Sequence, residues 1–368
     1  MKVMSVFGTR PEGVKMAPII KELEKREGVE QVVCITAQHR QMLDQVINIF
    51  GIRPDYDLNI FKPGQSLTDI TTNSLKGLED VIKKEKPDIL LVQGDTTTVF
   101  AGALAAFYQK VKIGHVEAGL RSGNMYSPYP EEANRKLTGV LTDFHFAPTR
   151  TNLENLLSEG YSEDRIFITG NTVIDALKYA IKDGYTFSDD RLNNVDYIGK
   201  KVILLTSHRS ENIGKPMENI FTAVRDAVNE HEEAFVVFPV HLNPKVRSIA
   251  NEILGDNDRI LLIEPMDYEP FTNLMSRVHV VVTDSGGLQE EAPALGKPVL
   301  VVREETERPE GVEAGTAKLV GTSYDNVYNN LKALLEDEKL YESMAKAVNP
   351  YGDGTASEKI VDIILSKF

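Results

Sequence analysis

The sequence predicts an α/β protein built from two doubly wound units, and three observations carry that prediction. Short apolar, β-branched runs alternate with longer helical patterns from end to end, the order that gives parallel sheets covered on both faces. The runs are apolar throughout instead of at every second residue, as in strands buried on both sides. A chain of 368 residues suits two domains, each large enough for its own core.

Strands are predicted near 2–7, 31–36, 88–93, 112–116, 143–147 and 165–169, then near 201–206, 234–239, 259–263, 278–283 and 298–302. Between the two sets, Lys182 to Lys200 is polar, is punctuated by Gly184 and Gly199, and lacks periodicity. The expected organisation is a first unit over 1–182, a linker over 183–200, a second unit over 201–355, and a terminal helix over 356–368 packing back on the first unit. The halves echo each other. DILLVQGDTTTVFAGALAAF is a strand, a polar turn with Asp95 and a small-residue helix, and VHVVVTDSGGLQEEAPALG repeats that order with Asp284. Two such units facing each other would place their strand C-termini across a cleft, where doubly wound folds bind ligands.

Composition narrows the function. Hydrophobic content of 42% and charged content of 26% are those of a globular protein. A net charge of −14 and a pI near 5.1 argue against nucleic acid or an anionic membrane surface as the main partner. The single cysteine, Cys34, lies in an apolar run and reads as a core thiol; it forms no intrachain disulfide and no cysteine-built zinc site. The first strand starts at once without a signal-peptide pattern, and no apolar run approaches the ~20 residues of a membrane span. The expected location is the cytoplasm.

The chemistry concentrates at strand ends. After the run Val278 to Val282, the turn Thr283-Asp284-Ser285-Gly286-Gly287 opens a helix at Leu288. Free N–H groups at the positive end of a helix dipole favour phosphates. Glu290 and Glu291 in the first helical turn could accept from a ribose diol, and Arg308 after the next strand could return to the phosphates. Gly8-Thr9-Arg10-Pro11-Glu12 follows the first strand, with Gly8 read as allowing a tight turn and with Lys15 one helical turn in. Asp95 follows the strand Ile89 to Val92, Glu117 ends the strand Lys112 to Val116, and Glu131 and Glu132 open a helix that carries Arg135. His208 and His241 follow later strands. Each signal has a simpler account on its own: Asp95 as an N-cap, Glu117 paired with Arg121, Glu131 or Glu132 paired with Arg135, and histidines in solvent. Their shared position just after strands is the argument for a ligand. No metal-ligand spacing, G-x-G-x-x-G motif or Walker loop is present, so no nicotinamide or metal site is predicted.

GTRPE, QGDTTT, HVEAGLR, SPYPEE, HRSEN and TDSGGLQEEAP…GKPVLV…TERPEGVEAGT, in this order, resemble the non-hydrolysing UDP-N-acetylglucosamine 2-epimerases. The likeness runs from Val3 to the NPYGDG segment at Asn349 to Gly354. It implies the GT-B architecture of two Rossmann-like domains, a homodimer, and reversible interconversion of UDP-GlcNAc and UDP-ManNAc for cell-surface polysaccharides. Carried over by position, the catalytic groups are Asp95, Glu117, Glu131 and His208. Contacts to UDP fall on Arg10, Lys15, Phe271, Ser285, Gly286, Gly287, Glu291 and Arg308. A second UDP-GlcNAc, acting as an activator, would map to Gln38, Gln41, Arg209 and His241, with Glu131 near both ligands. The chain departs from the family pattern at Gln93, where histidine is common, at Ser210, where HRREN has arginine, and at Gly64, where some members place an activator-binding arginine.

The C2 proton of an N-acetylhexosamine is not adjacent to a carbonyl, so a carboxylate cannot remove it directly. Breaking the anomeric C1–O bond builds positive charge at C1 and acidifies C2–H. That route uses cations on the departing diphosphate and carboxylates to move protons on two faces. It requires no redox cofactor. The competing readings are a GT-B glycosyltransferase that uses a UDP-sugar and a hydrolysing epimerase that releases free ManNAc.

Overall fold

The structure, a computed structural model, describes residues 1–368. In chain order the first elements are β1 Lys2–Phe7, α1 Arg10–Leu23, β2 Glu30–Ile35, α2 Arg40–Phe50, β3 Tyr56–Asp57, α3 Leu67–Glu85, β4 Ile89–Gln93 and α4 Thr97–Tyr108. They are followed by β5 Lys112–Val116, α5 Glu131–Leu141, β6 Phe144–Ala147, α6 Arg150–Ser158, β7 Ile166–Ile168, α7 Thr172–Ala180 and α8 Asp190–Asn193. Next come β8 Lys201–Thr206, α9 Lys215–Glu230, β9 Ala234–Pro239, α10 Pro244–Leu254, β10 Ile260–Ile263, α11 Tyr268–Arg277, β11 Val280–Thr283 and α12 Leu288–Ala294. The chain ends with β12 Val299–Val301, α13 Pro309–Glu313, β13 Ala317–Leu319, α14 Tyr324–Glu336, α15 Glu338–Ala345 and α16 Ala356–Lys367.

The strands form two wholly parallel sheets. One has seven strands in the order β3-β2-β1-β4-β5-β6-β7, and the other has six in the order β10-β9-β8-β11-β12-β13. The fold class is the α/β GT-B type with two doubly wound, Rossmann-like units. Two short edge strands, β3 and β13, lie outside the predicted set.

The chain divides into two compact units, residues 1–179 with 351–368, and residues 180–350. The stretch 183–200 contains α8 and is bonded within the second unit. Arg277 Nη2 donates to Tyr185 O at 2.5 Å, and its guanidinium lies 4.8 Å from the centre of the Phe187 ring. In the first unit, α16 packs on α1, and its Asp362 pairs at 2.8 Å with Arg26, just past the end of α1. It is also tied to α7 by buried Asp175, which accepts the Ser357 N–H at 2.8 Å.

Each sheet has its own core. Met4, Val6, Cys34, Leu90 and Val92 pack with Leu78 and the small-residue helix α4 in the first unit. The small side chains of α4 permit that approach, since a Cβ on Gly102 would lie 3.1 Å from Val92 Cγ1. Burial pushes the Cys34 thiol up to about 12, as expected of a core cysteine that does no chemistry. In the second unit Ile203, Leu205, Phe221, Phe238, Val280 and Val282 form the equivalent layer. The strand order reverses between β1 and β4 in one sheet and between β8 and β11 in the other. Loops that leave those strands at their C-terminal ends stand at a switch point, the usual ligand position in such sheets.

Candidate active site

The predicted acids of the first unit stand in the loops after β4 and β5 and at the start of α5. Asp95 follows β4, but it is not the cap of α4; Thr96 occupies that position. The Asp95 carboxylate is instead held by α5. Arg135 donates to its Oδ2 from Nη2 at 2.8 Å and from Nε at 3.0 Å, and Asn134 Nδ2 donates to its main-chain oxygen at 2.8 Å. Arg135 is itself buried and also pairs with Glu132 at 3.0 Å.

The acidic doublet at the start of α5 therefore splits. Glu132 is fully buried and accepts the Ser122 and Gly123 N–H groups at 3.1 and 3.2 Å. Glu131 is half-buried. Among its neighbours no group donates to it, so the predicted pairing with Arg135 belongs to Glu132 alone.

Glu117 ends β5 with φ 63°, a conformation that a non-glycine residue adopts at a cost and that clusters at functional sites. The predicted partner Arg121 turns to Glu159 at 2.8 Å. Glu117 instead receives Lys15 Nζ at 2.6 Å, Asn171 Nδ2 at 3.1 Å and the Gln93 amide. Gln93, which stands where the family often has histidine, thus still supplies a donor. On β5, buried His115 is pushed down to about 4 by burial. It is neutral, so its Nε2 carries the proton and donates to Gly94 O at 2.7 Å, which fixes the loop ahead of Asp95.

Arg10 opens α1, half-buried and without a carboxylate partner. Gly8 is needed for space, not for the turn. A Cβ there would lie 2.0 Å from Thr36 Oγ1 and 2.7 Å from Thr98 Oγ1. Glu12 is buried behind this loop and accepts the Gly8 and Thr9 N–H groups, each at 2.7 Å, and the Thr96 hydroxyl. It thereby ties the Arg10 loop to the Asp95 loop. Gln38 accepts from Thr98 Oγ1 at 2.9 Å, and Gln41 stands exposed in the first turn of α2.

The second unit repeats the arrangement with different chemistry. Ser285 N–H donates back to Thr283 Oγ1 at 2.9 Å. Gly286 and Gly287 have ordinary negative φ, and a Cβ on Gly286 would meet nothing within 4 Å. Neither the backbone path nor the packing of this unit requires glycine there, and the absence of a side chain leaves the backbone open to approach. Arg308, predicted as a phosphate cation, donates to Oε1 of buried Glu290, so two groups predicted to face a ligand are paired with each other. Glu291 remains half-buried on the same helix. Buried Gln289 joins this turn to the Arg308 loop, donating to Ser285 O at 3.2 Å and accepting from Thr306 Oγ1 at 2.6 Å. His208 follows β8. Its ring stacks on His241 with centroids 5.5 Å apart, so a predicted activator residue touches a predicted catalytic one. Burial, His241 and Arg209 lower the His208 basicity, and Asp284 partly offsets them. Phe271 stands in the first turns of α11, half-buried. No group of three or more His, Cys, Asp or Glu residues is arranged to hold a metal ion, and no helix is long and apolar enough to cross a membrane.

Residues 21–365 match the family model for UDP-N-acetylglucosamine 2-epimerase. The chain belongs to that family. A UDP-N-acetylglucosamine 2-epimerase of Bacillus subtilis is 56% identical over 366 residues, which cover 99% of this chain and 95% of the relative. The solved UDP-GlcNAc 2-epimerase of Neisseria meningitidis, bound to UDP-GlcNAc, is 52% identical with a TM-score of 0.87, and all of both chains is covered. The Methanocaldococcus jannaschii enzyme in complex with UDP-GlcNAc and UDP is 35% identical with a TM-score of 0.78, again over the full length of both. Sequence reasoning alone gave no part to several residues that brace the candidate site: Glu12, Asn134, Asn171, Asp284 and Gln289. Glu12, Asp284 and Gln289 stood inside quoted motifs, whereas Asn171 carries no sequence signal and reaches Glu117 across 54 positions.

Proposed function

We propose that the chain interconverts UDP-GlcNAc and UDP-ManNAc by elimination and re-addition of UDP. In the first half C2–H is lost as a proton to a carboxylate, the C1–O bond breaks, and UDP leaves a glycal. In the second half C2 takes a proton on the opposite face and a UDP oxygen re-adds to C1. The observation that carries this reading is the unequal treatment of the three acids at the ends of β4 and β5 and the start of α5. Glu117, fixed by Lys15, Gln93 and Asn171, suits an electrostatic or orienting part beside an oxocarbenium-like centre. Asp95 is aimed by Arg135 and serves as one acid/base. Glu131, without a competing donor, is its partner in proton transfer. Arg10, Lys15, His208, Arg308 and the amides of Ser285 to Gly287 serve the diphosphate; Phe271 and Glu291 serve the nucleoside.

A second UDP-GlcNAc, held by Gln38, Gln41, Arg209 and His241, activates the enzyme. The working form is a cytoplasmic homodimer, and the route uses no redox cofactor or metal. The test is incubation with UDP-GlcNAc in deuterated water, followed by NMR. The expected product is UDP-ManNAc with deuterium at C2. Free ManNAc and UDP in equal amounts as end products would overturn the reading in favour of hydrolysis.

A further inference from the structure

The carboxylate of Asp284, at the C-terminal end of β11, is fully buried and uses its two oxygens very differently. Oδ2 accepts four donors: Ser207 Oγ at 3.0 Å, the His208 N–H at 2.9 Å, the Arg209 N–H at 3.0 Å and Asn212 Nδ2 at 3.1 Å. Oδ1 accepts none of these and lies buried without a hydrogen bond, 3.3 Å from His208 Nδ1. An undonated oxygen on a buried carboxylate is costly, and the ring nitrogen of His208 is the donor facing it. Distances between paired catalytic groups are commonly long before substrate binds. The bonds to the Ser207–Arg209 backbone also fix the base of the His208 side chain, so the ring is placed by the same carboxylate that faces it.

We propose that Asp284 is the positioning residue of His208, holding the proton on Nδ1 so that Nε2 is the nitrogen offered to the diphosphate. The inference rests on the assignment of His208 to the diphosphate made above. The charged and titratable groups around the ring are Asp284 behind it, His241 stacked on it and Arg209 beside it. In the free protein burial, His241 and Arg209 disfavour the imidazolium. When the diphosphate arrives beyond Nε2, the ring lies between two anions and takes up a proton from solvent. Nδ1–H then donates to Asp284 Oδ1, and Nε2–H donates to the phosphate.

Two measurements test this. Nitrogen-15 NMR of the seven histidine rings, with His208 identified by its loss in His208→Asn, should find neutral His208 as the Nδ1–H tautomer. Free histidine favours the other form, so an Nε2–H tautomer overturns the proposal even if Asp284→Asn does not fold. Calorimetric titration with UDP, in buffers of different ionisation enthalpy, should detect proton uptake by the wild type. Asp284→Asn, checked for folding by circular dichroism, should lose that uptake and bind UDP roughly ten- to a hundredfold more weakly, the range for one charge-assisted hydrogen bond. If His208→Asn leaves affinity and uptake unchanged, the assignment of His208 to the diphosphate fails. If His208→Asn abolishes uptake while Asp284→Asn keeps it, only the role of Asp284 fails.

Discussion

Replacing Glu12 by glutamine should change how stability depends on pH. Glu12 is 2% exposed, and its oxygens take the Gly8 and Thr9 N–H groups and the Thr96 hydroxyl. Burial pushes its carboxyl up from 4.5 to about 7, and the hydrogen bonds oppose that shift without cancelling it. The folded state therefore binds more protons than the unfolded chain between those two values. Stability from this group is fully present below about 4.5 and is lost as pH rises through about 7. At about 1.36 kcal/mol per pH unit, the swing is on the order of 3 kcal/mol. The amide introduced by Glu12→Gln keeps an acceptor for the two N–H groups and does not titrate. Melting temperatures of both proteins from pH 4 to 8 should diverge: the wild type falls relative to Glu12→Gln up to about pH 7, and the gap is constant above it. Parallel curves would refute the reasoning, because a carboxyl that titrates alike in both states makes no such contribution.

Asp95→Asn should lower turnover on the order of 10²- to 10⁴-fold, as for other proton-transfer groups, with little change in UDP affinity by calorimetry. Near-normal turnover would remove Asp95 from the chemistry. Arg308→Ala should weaken UDP binding and also lower thermal stability, since it strands buried Glu290 without its cation; losing one partner of a buried pair costs about 3–5 kcal/mol. Unchanged affinity with reduced stability would make Arg308 a structural residue only. UDP-ManNAc alone should react slowly until a trace of UDP-GlcNAc is added, because the activator must favour the competent state to have any effect. Initial rates that follow a simple hyperbola, with no lag and no response to the additive, would dismiss the second site.

The fold was legible because its strands are buried on both faces and so appear as unbroken apolar runs. β4, Ile89 to Gln93, is buried at every position, and β11 likewise from Val280 to Thr283. The two strands missed, Tyr56–Asp57 and Ala317–Leu319, are two and three residues long and lie at sheet edges. They are too short for any period to register and are defined by pairing with a neighbour. The stretch 183–200 reads as a linker because its order comes from side-chain-to-backbone bonds, such as Asn193 Oδ1 to the Phe187 N–H at 2.8 Å, which leave no pattern of hydrophobicity.

The site was legible to the level of which loops carry chemistry and illegible at the level of what each acid does. Local spacing suggested Arg121 for Glu117, yet its partners stand 102, 54 and 24 positions away at Lys15, Asn171 and Gln93. No single-sequence argument can find them, because parallel crossovers bring together strand ends that are remote in the chain. Glu131 and Glu132 make the same point at the shortest range. Adjacent residues on a helix point about 100° apart, so one of two chemically identical acids can turn inward to hold the 122–123 backbone and Arg135 while its neighbour is left without a donor. The position of Arg135 three residues after Glu132 then decides more than the pairing. It draws the guanidinium inward, where it also grips Asp95. The same helix that presents Glu131 therefore aims Asp95, so the geometry of both proposed proton-transfer groups should fail together when α5 is displaced.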